Sequence, residues 1–412
     1  MNIPSMNPNA TEYTLTAIFR GEDYIFVWTD YETGVTKFTR WHEIPAEIYK
    51  THGLARIFNG DYEMEKMDCT RVLNYGPAAG GIGEAGAFRI ATCGERIDSL
   101  SPLLGFKKRN MVRRAIKSPV ENSLPFVERI SGQFSVSYAT LFYLLTHEFP
   151  ENCGEYILMA KELERLHNHV WVMHKLAGDA SQKVASAHLS AITEELLRLN
   201  LRVLGHRYGI NYIRTGPRDY EKFGEKVRAL HRWFSETAEE LSRSRIFIDR
   251  LQGTATLSRD TVLENDIIGI PARASGVMRD SRKFGVLKDI YGNYASPMEK
   301  YGDSLSRFLV RVAEAERGFE ILKSINPKGC RFDSELKEGF HYGFVEAPPG
   351  DLFMAVEIHE GRVHELWIRP PSMVMYHAFA MGIRGNVFTD FPFALDSFGA
   401  YFADADAFGR WF

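Results

Sequence analysis

The chain has 412 residues, 45% of them hydrophobic and 25% charged, with a formal net charge of −3. That composition is that of a soluble globular protein, long enough for one large domain or two ordinary ones. The near-neutral balance gives no electrostatic reason to expect nucleic acid, and no apolar run reaches the ~18 residues of a transmembrane helix. Met1–Asn9 has no basic stretch followed by an apolar one, so no secretory signal is expected. Cys69, Cys93, Cys153 and Cys330 show no local pairing of the kind zinc or iron–sulfur sites use. Four free thiols in a reducing compartment are expected, and no metal-ligating set.

In chain order, residues 1–70 read as β-rich, with strands at Tyr13–Phe19 and Asp23–Thr29. A second β region covers about 72–108. It opens on a Gly-Pro loop at Gly76-Pro77, and Ala87–Ile90 reads as a strand. Long helices follow, at 135–148 (stopped by Pro150), 152–178, 182–208, 219–245 and 299–323. Their apolar stripes, such as Tyr156, Met159, Leu163, Leu166, Val170 and Met173, need partners to be buried, which predicts a helical bundle. Strands at 342–346 and Phe353–Ile358 and a helix at Met373–Met381 close the pattern.

The functional signal starts at Arg129–Tyr138. With Cys at positions 131 and 134 and His at 138 in place of Ser131, Phe134 and Tyr138, the run reads R-I-C-G-x-C-S-x-S-H. That is the first nickel-ligand motif of nickel–iron hydrogenase large subunits. Further segments follow in the same order. Gly76–Phe88 resembles G-P-x-H-A-G-I-x-E-P-G-x-F, and Leu104–Arg109 resembles L-G-Y-x-H-R. Glu162, Arg165 and His169 match E-x-x-R-x-x-x-H, and Gly205–Tyr208 matches G-x-R-Y. Arg273–Lys283 resembles R-A-S-G-x-x-x-D-x-R-K, and Gly302–Glu314 resembles G-D-x-x-x-R-x-x-x-R-x-x-E. Glu346-Ala347-Pro348, Arg369–Ser372 and Arg384–Asp390 complete the set. Each piece alone is weak. Nine in order over about 75–405 resemble the large subunit of energy-converting hydrogenases and its counterpart in respiratory complex I, the D subunit.

This resemblance implies an α+β fold, a long-helix bundle flanked by small β regions. Residues 71–412 would form the hydrogenase large-subunit-like domain, and residues 1–70 a β-rich N-terminal extension outside it. It also implies the hydrogenase-like large subunit of a membrane-bound, complex I-related, redox-driven ion-translocating complex, peripheral on the cytoplasmic side. The expected hetero-oligomer includes an iron–sulfur small subunit carrying a 4Fe–4S cluster, other peripheral-arm subunits and membrane antiporter-like subunits. The chain itself would bind no cofactor. Two alternatives stay open: a non-catalytic scaffold subunit, and a quinone- or sulfur-compound-reducing subunit with a rearranged site.

The ligand positions are what depart from the family. The C-terminal D-P-C-x-x-C motif falls on Gly399–Asp404, so Ser131, Phe134, Tyr401 and Asp404 stand where four thiolates hold nickel. A nickel–iron centre needs soft thiolates, so hydrogenase chemistry is not expected. The His and Tyr that hold quinone in the complex I relatives are also absent: the loop reads Ala78-Ala79, and Gly132 takes the Tyr position. Ser131, Phe134, Tyr138, Tyr401 and Asp404 are therefore candidates to line the vacated cavity. Arg109 and Arg207 fall near the position of the small subunit's cluster. Buried ion pairing of the family arginines with Glu162, Asp280, Glu314 and Asp390 is the competing expectation. His147 and Glu148 fall near a family glutamate on a proton path. His167, His169 and His174 lack the spacing of a helical zinc site and read as ordinary hydrogen-bonded histidines.

Overall fold

A computed structural model describes residues 13–20, 23–55, 69–80, 82–218, 221–327 and 329–407; Met1–Asn9 lies outside them. The five long helices are α1 (Ser135–Thr146), α2 (Gly154–Asp179), α3 (Lys183–Leu204), α4 (Phe223–Arg243) and α5 (Ser304–Ser324). Their ends follow local chemistry. α3 stops short of the expected 208 because Gly205 turns left-handed at φ +82. α5 begins later than expected because Asp303 caps it, its side chain accepting the Ser306 N–H at 2.8 Å.

Sequence pattern decides position. Every residue of α1 is buried, so this helix has no face for water; it packs against α2 and against the strands Gly339–Glu346 and Asp351–His359. α4 is amphipathic and buries Phe223, Val227, Leu230, Phe234, Ala238 and Leu241 along one stripe. Each large apolar side chain buried in this way contributes about 1.5–3 kcal/mol. α2 packs on α3 and α5, and α4 lies against both α3 and α5.

Among the described residues there are three antiparallel three-stranded sheets. They are β1 (Thr14–Arg20), β2 (Tyr24–Thr29) and β3 (Thr36–Trp41); β4 (Arg71–Tyr75), β5 (Ala87–Cys93) and β6 (Arg96–Leu103); and β7 (Gly339–Glu346), β8 (Asp351–His359) and β9 (Arg362–Arg369). α6 (Pro371–Gly382) and α7 (Phe391–Phe398) follow, then a single helical turn at Phe402–Ala405.

Of the first sheet, β1 and the second half of β2 are buried on both faces, whereas β3 is largely open to solvent. Ala17, Phe19 and Val27 pack against Phe344, Phe353 and Ala355 of the third sheet. Leu15, Ile18, Phe26 and Trp28 join a core with Phe88 and the α6 residues Met375 and Phe379. Arg369, fully buried, ties the sheets together by donating to Thr16 O at 2.9 Å and to the Asp351 carboxylate at 2.8 Å.

The cysteine expectation is corrected. Cys69 and Cys93 form one disulfide and Cys153 and Cys330 another, with Cα atoms 5.3 and 4.5 Å apart, and no cysteine is free. Partners 24 and 177 residues apart leave no local spacing to read. Among the described residues, no helix is long and apolar enough to cross a membrane.

Candidate functional site

The degenerate motifs from the two ends of the domain meet at one buried locus. Tyr138, on α1, donates its hydroxyl to Asp404 Oδ1 at 2.7 Å. Asp404 Oδ2 accepts the backbone N–H of Ser372 at 2.9 Å. Ser372 lies in the first turn of α6, a helix with no side-chain cap of its own, so Asp404 satisfies one of its orphan donors. The Ser372 hydroxyl in turn accepts the Tyr401 N–H at 3.1 Å, and Asn168 Nδ2 donates to the Tyr401 hydroxyl at 3.1 Å. Phe134 meets the Tyr401 ring edge-on, with centroids 5.4 Å apart. Ser131, Phe134, Tyr138 and Asp404 are all buried.

The Gly-Pro loop and the Leu104–Arg109 segment reach the same place. Glu84 accepts the Ala403 N–H at 3.0 Å. Gly86 has no room for a Cβ, which would run into the Phe402 ring. Asp406 accepts the N–H groups of Gly105 and Lys107, both at 2.6 Å. Burial pushes the Asp404 carboxyl up to about 6, even though Ser372 and Tyr138 donate to it. Burial and the adjacent Asp404 hold the Tyr138 phenol well above its ordinary range.

These residues do not fit a nickel–iron centre. The four positions that the resemblance assigns to thiolates carry a hydroxyl, a phenyl, a phenol and a carboxylate. The carboxylate and the phenols are already bonded to one another's neighbours. No step of a reaction is derived through such a centre.

Beneath this locus lies a buried ionic network. Glu314, on α5, is its hub. It accepts from Arg273 at 2.8 Å and Arg282 at 2.6 Å, pairs with Arg165 at 3.5 Å, and lies 2.9 Å from His169 Nε2. Arg282 also holds Asp280, Arg273 also holds Glu346, and Arg165 also holds Glu162. Arg311 donates to His169 Nδ1 at 3.1 Å. The Arg311 and Glu314 contacts together require a neutral His169 with its proton on Nε2. Burial drives His169 down to about 3 and His167 down to about 4. Burial alone would raise Glu314, but Arg282, Arg273, His169 and Arg165 outweigh it and hold that carboxyl well below its ordinary value. Four arginines face four carboxylates, so the ionised cluster is formally neutral. That balance is what makes such a buried assembly tolerable.

The expected arginines separate into two groups. Arg273, Arg282 and Arg311 enter the network, and Arg369 pairs with Asp351. Asp390, expected among their partners, instead faces Arg250 at 4.0 Å. Arg207 is half-buried and forms a two-point pair with Glu194, at 3.1 and 2.6 Å. Arg109 is exposed and donates to Ile130 O, next to Ser131.

His147 and Glu148 do not act as a pair. His147 caps α1, stacks on Tyr143 at 4.3 Å, and contacts the Thr146 hydroxyl at 2.9 Å. Burial lowers its pKa, and the carboxylate acting on it is that of Glu121. Glu148 is exposed, and its N–H bonds Glu335 O at 2.9 Å. His147 does line an open cleft of about 600 Å³ with Tyr143, Arg214, Phe332 and Asp333. His174 bonds Ser186 O at 2.8 Å.

Several polar residues escaped the sequence reading. Ser372 and Asn168 complete the central locus. Glu164 caps α1, accepting the N–H groups of Val136 at 2.7 Å and Ser137 at 3.1 Å, while Lys161 donates to the Ser137 hydroxyl and pairs with Glu164 at 3.2 Å. Burial brings the Lys161 ammonium down to about 8 against the pull of Glu164. A charged residue at an inward position of the α2 stripe was the available signal.

Comparison with known proteins points to the same family of folds. Residues 187–329 match the family described as respiratory-chain NADH dehydrogenase, 49 Kd subunit. The chain is 24% identical over 399 residues to the D subunit of NADH-quinone oxidoreductase from Akkermansia muciniphila, covering 84% of this chain and 96% of that one. It is 26% identical over 351 residues to a D subunit of NADH-quinone oxidoreductase from Herpetosiphon aurantiacus, covering 78% and 95%. Among solved structures, it superposes with a TM-score of 0.73 on a chain of the membrane-bound sulfane sulfur reductase, an archaeal respiratory membrane complex. That match has 22% identity and covers 83% of this chain and all of the other. Ordered motifs, a family match over residues 187–329 and relatives of 24–26% identity together make the chain similar to the respiratory-chain NADH dehydrogenase 49 Kd subunit and to the D subunits of NADH-quinone oxidoreductases.

Proposed function

We propose that this chain is the hydrogenase-like large subunit of a membrane-bound, complex I-related respiratory complex, peripheral to the membrane and working without a nickel–iron centre. The observation that carries this reading is the convergence of five family segments on a locus closed by Tyr138, Asp404, Ser372 and Tyr401.

The outer side of this locus supports a docking role. Leu104 and Phe106 are 37% and 48% exposed, and Lys108 and Arg109 stand beside them in the open. Asp406 fixes that segment from beneath. An apolar rim with clustered cations suits an iron–sulfur small subunit whose 4Fe–4S cluster is anionic. A guanidinium at Arg109 would raise the potential of such a cluster.

The scaffold reading has its own support, because the central polar groups already satisfy one another. The Arg109→Met variant separates the two readings. A redox role predicts a lower cluster potential and altered turnover in the intact assembly. No change in either leaves the scaffold role.

A further inference from the structure

We propose that the outer face of the β8–β9 hairpin is a divalent transition-metal site whose ligands are Glu357, His359 and His364. These residues belong to none of the family segments above and lie on the third sheet, apart from the degenerate locus.

The hairpin geometry brings them together. β8 and β9 are joined by Glu360 and Gly361, both with positive φ (52° and 68°), a tight turn of the kind that matches strand twist. The register pairs His359 with Arg362, Ile358 with Val363 and Glu357 with Glu365. One strand therefore carries an extra residue, His364, between Val363 and Glu365. Val356, Ile358, Val363 and Leu366 all point into the core. Without the bulge, strict alternation would leave one outward residue between Val363 and the next inward position. With it, His364 and Glu365 both lie outside, and His364 joins Glu357 and His359.

The donor atoms are spaced for one ion. Glu357 Oε1 lies 3.2 Å from His359 Nε2, and Glu357 Oε2 lies 3.7 Å from His364 Nδ1. One donor atom from each of the three residues falls within 4.8 Å of the others. A tetrahedral ion with bonds of ~2.0–2.1 Å needs donors about 3.3 Å apart, which small side-chain rotations reach from here. The two imidazoles meet at 74° with centroids 5.2 Å apart, so they flank the carboxylate rather than stack on each other. Two imidazoles and one carboxylate suit zinc or a similar borderline ion, not magnesium or calcium.

The site would act as a staple. Gly361 O accepts the Val120 N–H at 3.1 Å, and Val363 exchanges hydrogen bonds with Lys117 and Ser118 at 2.6 and 3.0 Å. Those residues lead into the helix Val120–Val127 and on to Ser131. An ion across the hairpin would hold the strand ends on which this segment rests.

The test is calorimetric titration of the full chain, within its assembly where it purifies as one, with zinc chloride alone. The expected result is one saturable site, insensitive to excess magnesium. His359→Ala/His364→Ala should weaken it by more than the roughly 10–100-fold that loss of an outer-shell partner costs, and Glu357→Gln should weaken it as well. X-ray absorption of the zinc-loaded wild type should show nitrogen and oxygen donors only. Absence of saturable binding, binding unchanged in the double variant, or sulfur donors in the absorption spectrum would each overturn the proposal.

Discussion

Tyr138 and Asp404, 266 residues apart in the chain, share a buried 2.7 Å hydrogen bond. The bond joins α1 to the last helical turn and closes the locus from within. Tyr138→Phe keeps the ring and removes the donor, leaving Asp404 Oδ1 buried without it. The expected cost is about 1–3 kcal/mol, read as a lower denaturant midpoint at unchanged m-value.

Asp404 sets a pH dependence with a definite sign. Its folded pKa, about 6, lies above the ordinary 3.8. The folded chain therefore holds this proton more tightly than the unfolded chain does. The resulting stability is fully present below the unfolded value and is lost as pH rises through 6. Asp404→Asn removes the ionisation. Relative to wild type, the variant should gain up to about 3 kcal/mol between pH 4 and pH 7. Paired denaturation curves across that range check it, and a constant difference would refute the burial of the carboxyl.

Glu314 is the counter-charge to three arginines at once. Glu314→Gln leaves Arg165, Arg273 and Arg282 with an excess of buried positive charge. A loss of about 3–5 kcal/mol is expected, as for breaking a buried pair from one side. Thermal unfolding of the variant measures it. Arg207→Met, at a half-exposed pair with Glu194, should shift the same transition far less.

The Cys153–Cys330 disulfide ties the start of α2 to the segment after α5 across 177 residues. Loop-closure entropy gives a stabilisation of at most about 5 kcal/mol for a loop of that length. Cys153→Ser/Cys330→Ser should be less stable than wild type without reductant, and adding reductant should lower wild type toward it. Equal stability of the two forms would show that the cysteines are reduced in the purified protein.

The helices were legible because burial leaves a periodic trace, as in the α4 stripe from Phe223 to Leu241. β9 was not. Its inward residues Val363, Leu366 and Ile368 are separated by His364 and Glu365 and then by Trp367, and its bulge breaks the alternation that marks a strand. Motif order led to Tyr138, Tyr401 and Asp404 but not to their bonds. Ser372 and Asn168, which complete the locus, come from segments whose spacing carries no sign of contact. Arg109 and Arg207 both stand in family segments, and the sequence singles out Arg109 as the arginine nearest the expected cluster position. Only the fold shows one exposed beside the central locus and the other paired with Glu194.

The most direct test is the composition of the assembly that holds this chain. It should be drawn from membranes in mild detergent by a tag on the chain, and its subunits and iron measured together. The account predicts an iron–sulfur small subunit in equal amount, about four irons per chain for one 4Fe–4S cluster, and membrane subunits. A monodisperse single chain, free of iron and of partners, would contradict it.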